Sequence, residues 1–459
     1  MNPGAIQQHL RAPTGEELAR LHSIAYVALQ RLADALLQPM TLLAAVVWLL
    51  NGSFEDVAVI TVVASSSYAF GSVIMPYVLS FVDDIRLVLL GASSVRAAAA
   101  AMIVVLGWRA RSIEPGDFVS LLVIAILFYQ VSSAINVSRN PRSTIADEDA
   151  PTSLTSRQVA GALAAIIGGL AAWQTLSNND LGFPANAGWI IALGGMAAIA
   201  SLWFQVTAPV RRVDLLYKPP VATRLEVIRV LQQPAMRRYL YVRLLFGLAT
   251  LADPFLIIFG LMHMDLDIGY VGAIMLVIVL AQVTGGVVWT FFREYRGTRR
   301  SIQLAALLRL AGIALAIGVP FIADSGWYAD RFDSPAVGSW AFVSVFFVLG
   351  VAQGTYIRNE QPYALRRMQD ISLYPATSLL LNGTLVITAF AAFLGAAIIR
   401  ASSIETLLLV AAGLALIALM STTALHGRRR RLRRRFLEPE LRGRRKPIRR
   451  RPKRRKRRR

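Results

Sequence analysis

Apolar residues along the chain gather into twelve runs, each flanked by polar or turn-forming residues. A helix crossing the roughly 30 Å hydrocarbon layer of a bilayer needs about 20 mostly apolar residues. The runs that meet this are Ile24–Leu50, Val57–Val82, Leu87–Trp108, Phe118–Val137, Gln158–Leu176 and Ala187–Val206, then Tyr239–Met262, Ile268–Phe292, Ser301–Ile322, Val337–Ile357, Ala376–Ile399 and Ile404–Leu425. Separators such as Asn51-Gly52, Pro115-Gly116 and Asn178-Asn179-Asp180 carry turn chemistry. The first run has no basic stretch immediately before it and no small-residue cleavage site, so it is expected to be a retained helix. The connection from Ala208 to Arg238 divides the runs six and six; it holds Pro219-Pro220 and an amphipathic stretch, Leu225–Leu231. The pattern predicts an all-α polytopic membrane protein of twelve spans. Its expected segments are an N-terminal segment (1–23), two six-helix halves (24–207 and 239–426), a central loop (208–238) and a tail (427–459).

Composition agrees. Of 459 residues, 55% are hydrophobic and 17% charged, against about 25% charged in an average soluble domain. The net charge of +22 sits mostly in the tail, where 21 Lys and Arg face Glu438 and Glu440, leaving a nearly neutral apolar body. Basic residues in short loops mark the cytoplasmic side. With the N-terminus inside, 20 of the body's 28 basic residues fall in cytoplasmic loops or the N-terminal segment and only Arg109, Arg111, Arg331 and Arg400 outside. Both termini are therefore expected in the cytoplasm, with the body in the cell membrane. The absence of cysteine excludes disulfides and Cys-ligated metals, and the four histidines are scattered. There is no GxxxxGK[ST] loop, HExxH or GxSxG motif. No cofactor, metal site or enzymatic activity is expected, and the protein is expected to be monomeric.

The halves repeat. Arg31 and Arg243 lie 212 residues apart, Asp83 and Glu294 lie 211, Arg96 and Arg309 lie 213, and Arg139-Asn140 and Arg358-Asn359 lie 219. Parallel repeats of this kind are a device of secondary transporters. The loop after the eighth span reads Glu294-Tyr295-Arg296-Gly297-Thr298-Arg299-Arg300. It resembles the Gly-xxx-Asp-Arg-x-Gly-x-Arg-Arg signature of the major facilitator superfamily, departing at Tyr295 and at Thr290, where the leading glycine would stand. The first-half counterpart, Asp83-Asp84-Ile85-Arg86, lacks the glycine. The resemblance implies alternating access between two six-helix halves. It also implies an inner gate formed by Asp83, Asp84, Arg86, Glu294, Gly297, Arg299 and Arg300; for the arginines the alternative is topology anchoring alone. The superfamily's antiporter pattern would fall on Ala160, Ala164, Ala165, Gly168 and Gly169, where only the glycine pair matches; close helix packing is the alternative reading there.

Ionisable side chains inside spans cost about 2.5–3.5 kcal/mol on insertion scales and are candidates for function. In span 1, Gln30, Asp34 and Gln38 stand at i, i+4 and i+8 with Arg31 and Thr41 adjacent, on a stripe expected to face the cavity. Arg31 and Asp34 are spaced to pair, as a structural ion pair or with Asp34 as a proton or cation site. Span 7 is expected to place Arg243, Phe246, Thr250 and Asp253 on one face, Asp253 near mid-membrane and beside Pro254, which breaks backbone hydrogen bonding. Asp253 is thus a substrate or coupling-ion candidate, or a carboxylate of the outer vestibule. Arg96 and Arg309 could bind an anionic substrate group; the alternative is that they snorkel or pair with acids of inner loops. Tyr129, Ser133, Asn136, Gln282, Gln353, Tyr356 and Asn382 supply further polar positions, as interhelical hydrogen bonds or cavity contacts.

The tail is too charged and too poor in hydrophobes to fold. Anionic lipid headgroups are its expected partner; nucleic acid is the second possibility. Together these features predict a secondary transporter of a small organic solute, with proton-coupled export favoured slightly by the glycine pair. The rival expectation is a non-transporting membrane anchor or sensor of the same fold, whose basic tail does the binding.

Overall fold

The structure is a computed structural model and describes residues 15–82, 85–138, 156–178, 180–207, 221–325, 328, 331, 334, 336–367 and 371–425. All regular elements among them are helical, and twelve stretches are long and apolar enough to cross a membrane. Span 1 comprises α1 (Gly15–Leu36), a π-helical turn (Pro39–Leu43) and α2 (Ala44–Leu49). Spans 2 to 6 are α3 (Phe54–Phe81), α4 (Ile85–Arg109), α5 (Pro115–Ser138), α6 (Ser156–Leu176) and α7 (Ala185–Thr207). A short surface helix, α8 (Arg224–Gln232), follows. Span 7 is α9 (Pro234–Leu248) plus α10 (Asp253–His263), and spans 8 to 10 are α11 (Ile268–Arg296), α12 (Thr298–Ala323) and α13 (Ala336–Arg367). Span 11 is α14 (Tyr374–Ala389) plus α15 (Ala391–Ala401), and span 12 is α16 (Ile404–Thr423).

The helices begin where the chemistry of their ends permits. Ser53 accepts from the amide of Asp56 while the Asp56 carboxylate accepts from the amide of Ser53, opening span 2 with a capping box. Thr223 and Glu226 do the same for α8. Ser403 caps span 12. At Gly297, before span 9, φ is 83° and ψ is 158°, a conformation available almost only to glycine. That is the physical reason for the glycine in the signature-like loop.

Spans 1 and 7 are broken at equivalent places: α1 ends at Leu36 and α9 at Leu248, 212 residues apart, the offset that also relates Arg31 to Arg243. In span 1 the break precedes Pro39, and Gln38 takes an extended backbone (ψ 117°), as residues before proline do. In span 7 the chain turns through Ala249–Ala252 before Pro254, with the Asp253 amide reaching only to Thr250 O at 3.0 Å. Proline cannot donate the i to i−4 bond that would carry either helix through.

The two broken helices meet on the far side of their breaks, where α2 and α10 pack together; on the near side α1 packs on spans 5 and 6 and α9 on spans 11 and 12. We call the side that carries the start of span 1 and the end of span 12 the terminal face. The apolar core follows this division. One cluster, from Leu42 and Leu43 through Phe255, Phe342 and Leu407, joins both halves in the middle and toward the opposite face. Toward the terminal face a separate cluster, including Met236, Tyr239, Phe246, Tyr356 and Leu373, belongs to the second half alone. Large apolar side chains such as Phe70, Trp203 and Phe321 cover the perimeter, exposed as a lipid-facing surface requires.

Candidate functional site

Two arginines lie fully inside the bundle: Arg96 of span 3 is 0% exposed and Arg309 of span 9 is 1% exposed. Neither snorkels: each meets an aspartate of the broken span in its own half. Arg309 contacts the carboxylate of Asp253 and donates through the same Nη2 to the carbonyl of Ala249 at 2.9 Å. Ala249 closes α9 and Asp253 opens α10, so a single guanidinium bridges both edges of the break. It meets the demand that a helix terminus buried away from water find partners for its orphan groups.

Arg96 is held differently. Its Nη2 donates to Tyr129 Oη at 2.9 Å, and its guanidinium carbon lies 4.6 Å from the Tyr129 ring centroid, within cation–π range. Asp34 Oδ1 stands 3.7 Å away, an ion-pair distance but too long for a hydrogen bond. The Asp34 side chain is 39% exposed, whereas that of Asp253 is 24% exposed. Nε and Nη1 of Arg96 are buried without hydrogen-bond partners.

These contacts correct the expected pairings. Asp34 pairs with Arg96, not with Arg31; Arg31 is exposed, and its stem lies against Gly161 of span 5. Arg243 and Asp253 do not share a helix face, because the break separates them. Arg243 is buried in the second half beside the stacked rings of Phe246 and Tyr356 (3.9 Å between centroids), with Nε donating to Thr384 of span 11. Tyr239 and Tyr363 pair at 4.8 Å in the same cluster. Gln38 lies in the break of span 1 and gives its carbonyl to the Thr41 amide at 3.3 Å. Gln353 and Asn382 are half-buried in spans 10 and 11, while Gln282 is exposed.

Of the gate residues, Arg299 donates to the carbonyl of Thr423 at 2.8 Å, closing the end of span 12 within its own half, and Arg300 is exposed. Asp83 and Asp84, and the side chains of Arg86, Glu294 and Asn136, lie outside the described residues, as does the basic tail. Gly168 and Gly169 pack helices: a Cβ on Gly168 would stand 2.6 Å from Leu32, and one on Gly169 2.8 Å from the backbone of Leu276 in span 8. On that same crossing a Cβ on Gly272 would stand 2.6 Å from the backbone of Trp173.

Sequence reasoning passed over the seal at the opposite face. Glu55 of span 2 and Arg400 of span 11 form an ion pair at 2.7 Å across the halves, Phe54 lies 6.1 Å from Phe255, and Trp173 meets Trp340 at 5.8 Å. Contacts between distant spans leave no periodic trace in a sequence. Among the described residues no three His, Asp or Glu side chains gather in a metal-binding group.

No family model matches the chain, and no curated protein matches it. Solved structures do. The chain is similar to the nucleoside transporter NupG (D323A mutant) with a TM-score of 0.65 and 15% identity, over 89% of this chain and 100% of that one. It is similar to a bacterial homologue of the iron transporter ferroportin in its inward-facing state (TM-score 0.60, 12% identity, 89% of this chain and 99% of that one). A bacterial metal transporter matches with a TM-score of 0.59 and 10% identity, over 91% and 100% of the two chains. The chain shares the all-α fold of these transporters, with twelve stretches among the described residues long and apolar enough to cross a membrane.

Proposed function

We propose that this protein is a secondary transporter that moves a small organic solute through the cell membrane by alternating access. The moving parts are the halves 24–207 and 239–426, linked by 208–238, with both termini in the cytoplasm. One observation carries this reading: the charged pairs Asp34–Arg96 and Asp253–Arg309, each with its arginine fully buried, lie within the spans beside helices broken at repeat-equivalent positions. Intramembrane charge beside interrupted backbone is what a solute or ion path requires and what a passive anchor would not retain.

The division of the apolar core supports a state open toward the terminal face. The exposed basic residues Arg20, Arg157, Arg224, Arg229 and Arg300 ring that face, in favour of its being cytoplasmic. The two pairs have unequal roles in this reading. Arg309 spends its contacts on the broken helix and is structural. Asp34, loosely held and part-exposed, is the coupling carboxylate, and Arg96 is the better placed arginine for an anionic group of the solute.

Proteoliposomes carrying an internal pH indicator, screened with organic solutes including nucleosides, test the proposal. Solute-dependent proton flux that disappears in Asp34→Asn, while solute counterflow persists, is the expected result. Flux unchanged in Asp34→Asn overturns the coupling assignment. Absence of any solute flux, with lipid or nucleic-acid binding lost on deletion of 427–459, would favour the anchor or sensor.

A further inference from the structure

Helix α8 lies outside the spans and has two unlike faces. Val230 is fully buried, and Val227 packs with it against the cluster containing Met236, Tyr239 and Leu373. The other face exposes Leu225 (68%), Ile228 and Leu231, at i, i+3 and i+6, which form one stripe on a helix. Arg224 and Arg229 are exposed within and beside that stripe, and Arg237 and Arg238 are exposed at the start of α9. The helix has one acid, Glu226, whose carboxylate is turned to its own N-terminus, accepting from the Thr223 amide at 2.8 Å. The outward surface is therefore apolar with positive charge of a single sign.

Its position names the partner. α8 runs through Gln233 directly into span 7, so it sits at the terminal-face end of that span, and it packs on spans 7 and 11. A second copy of the chain docking by two-fold symmetry would bring the same arginines together. A membrane surface supplies acyl chains for the stripe and phosphates for the guanidiniums. We propose that α8 is an interfacial anchor, inserting Leu225, Ile228 and Leu231 at the headgroup–acyl boundary and binding anionic lipid phosphates through Arg224 and Arg229. The inference rests on the chain being embedded in a membrane and is independent of transport.

The chain contains no cysteine, so single-cysteine labelling is selective. Full-length Leu225→Cys, Ile228→Cys and, as a control in an exposed loop of the opposite face, Ser112→Cys are labelled with bimane. Each is reconstituted in phosphatidylcholine vesicles with or without phosphatidylglycerol. The α8 labels are expected to be quenched by a nitroxide placed just below the lipid headgroup and shielded from iodide, with the reverse for Ser112→Cys. Phosphatidylglycerol is expected to strengthen the lipid quenching, and each of Arg224→Gln and Arg229→Gln to reduce that gain about fivefold. Iodide access equal to that of Ser112→Cys, concentration-dependent label–label quenching that reveals a second copy, or indifference to phosphatidylglycerol would each overturn the proposal.

Discussion

Arg309 and Asp253 face each other across the interruption in span 7, and the arginine that neutralises the aspartate also satisfies the last free carbonyl of the preceding helix, that of Ala249. Removing one partner of a buried pair costs about 3–5 kcal/mol, because the other charge is left uncompensated. Arg309→Ala is expected to show this loss as a large drop in the thermal unfolding midpoint in detergent. The double variant Arg309→Met with Asp253→Asn is expected to recover a substantial part of it. A double variant no more stable than Arg309→Ala would show that the pair is not the source of the loss.

Tyr129 supplies both a hydroxyl and a ring to Arg96. Tyr129→Phe keeps the ring and removes the acceptor, and an unsatisfied buried donor costs about 1–3 kcal/mol. Thermal unfolding should place Tyr129→Phe within that range and Tyr129→Leu, which loses both contacts, below it. Equal midpoints for the two variants would remove the cation–π contribution from the account.

Gly297 occupies backbone space that a β-carbon excludes. Gly297→Ala should cost about 1–3 kcal/mol, read as a fall in the unfolding midpoint. Gly383→Ala, at a helical glycine with open space around it, is the comparison and should change little. A similar response at both sites would mean that the turn before span 9 tolerates ordinary residues.

Gly272 and Trp173 touch backbone to backbone where spans 5 and 8 cross near the opposite face. Gly272→Val should pry this crossing apart and raise the reactivity of Leu176→Cys, a position buried behind it, toward an impermeant maleimide added from that side. No change in labelling would show that the crossing is not part of the seal.

Glu55 and Arg400 form an exposed pair across the halves. Such pairs contribute about 0–1 kcal/mol, so either single neutralisation should barely move the unfolding midpoint. Glu55→Lys, which sets like charges together, should raise labelling of the buried Leu176→Cys, and adding Arg400→Glu should restore protection. High salt should weaken both effects.

The architecture could be read from the chain because a bilayer imposes its thickness on every span; the twelve runs of apolar residues correspond to twelve helical stretches long and apolar enough to cross it, three of them broken. The break in span 7 was legible in Asp253-Pro254, and the amphipathic stretch Leu225–Leu231 became α8. Partners were harder. Arg31 stands one turn from Asp34 and looked like its counter-ion, yet Gly161 leaves room for the Arg31 stem to lie along span 5. The carboxylate meets Arg96 from another helix instead. Helical spacing shows which residues share a face, but not which neighbour the face meets. The repeat misled in a similar way: Arg31 and Arg243 occupy equivalent positions, one exposed and one buried.

Both first helices are interrupted at the same step of the duplication, but their aspartates sit on opposite sides of the gap, Asp34 in the closing turn of α1 and Asp253 in the opening turn of α10. A helix presents partial negative charge where it ends and partial positive charge where it begins. The Asp253 anion therefore has the amides of α10 as well as its arginine to hold it, while the Asp34 anion leans against the unfavourable pole of α1, with Arg96 3.7 Å away and Arg31 one turn behind as its cations. The two halves carry matching joints, and the polarity of the peptide dipoles favours the anion at one and opposes it at the other, which is why the proposed coupling role falls to Asp34 rather than to Asp253.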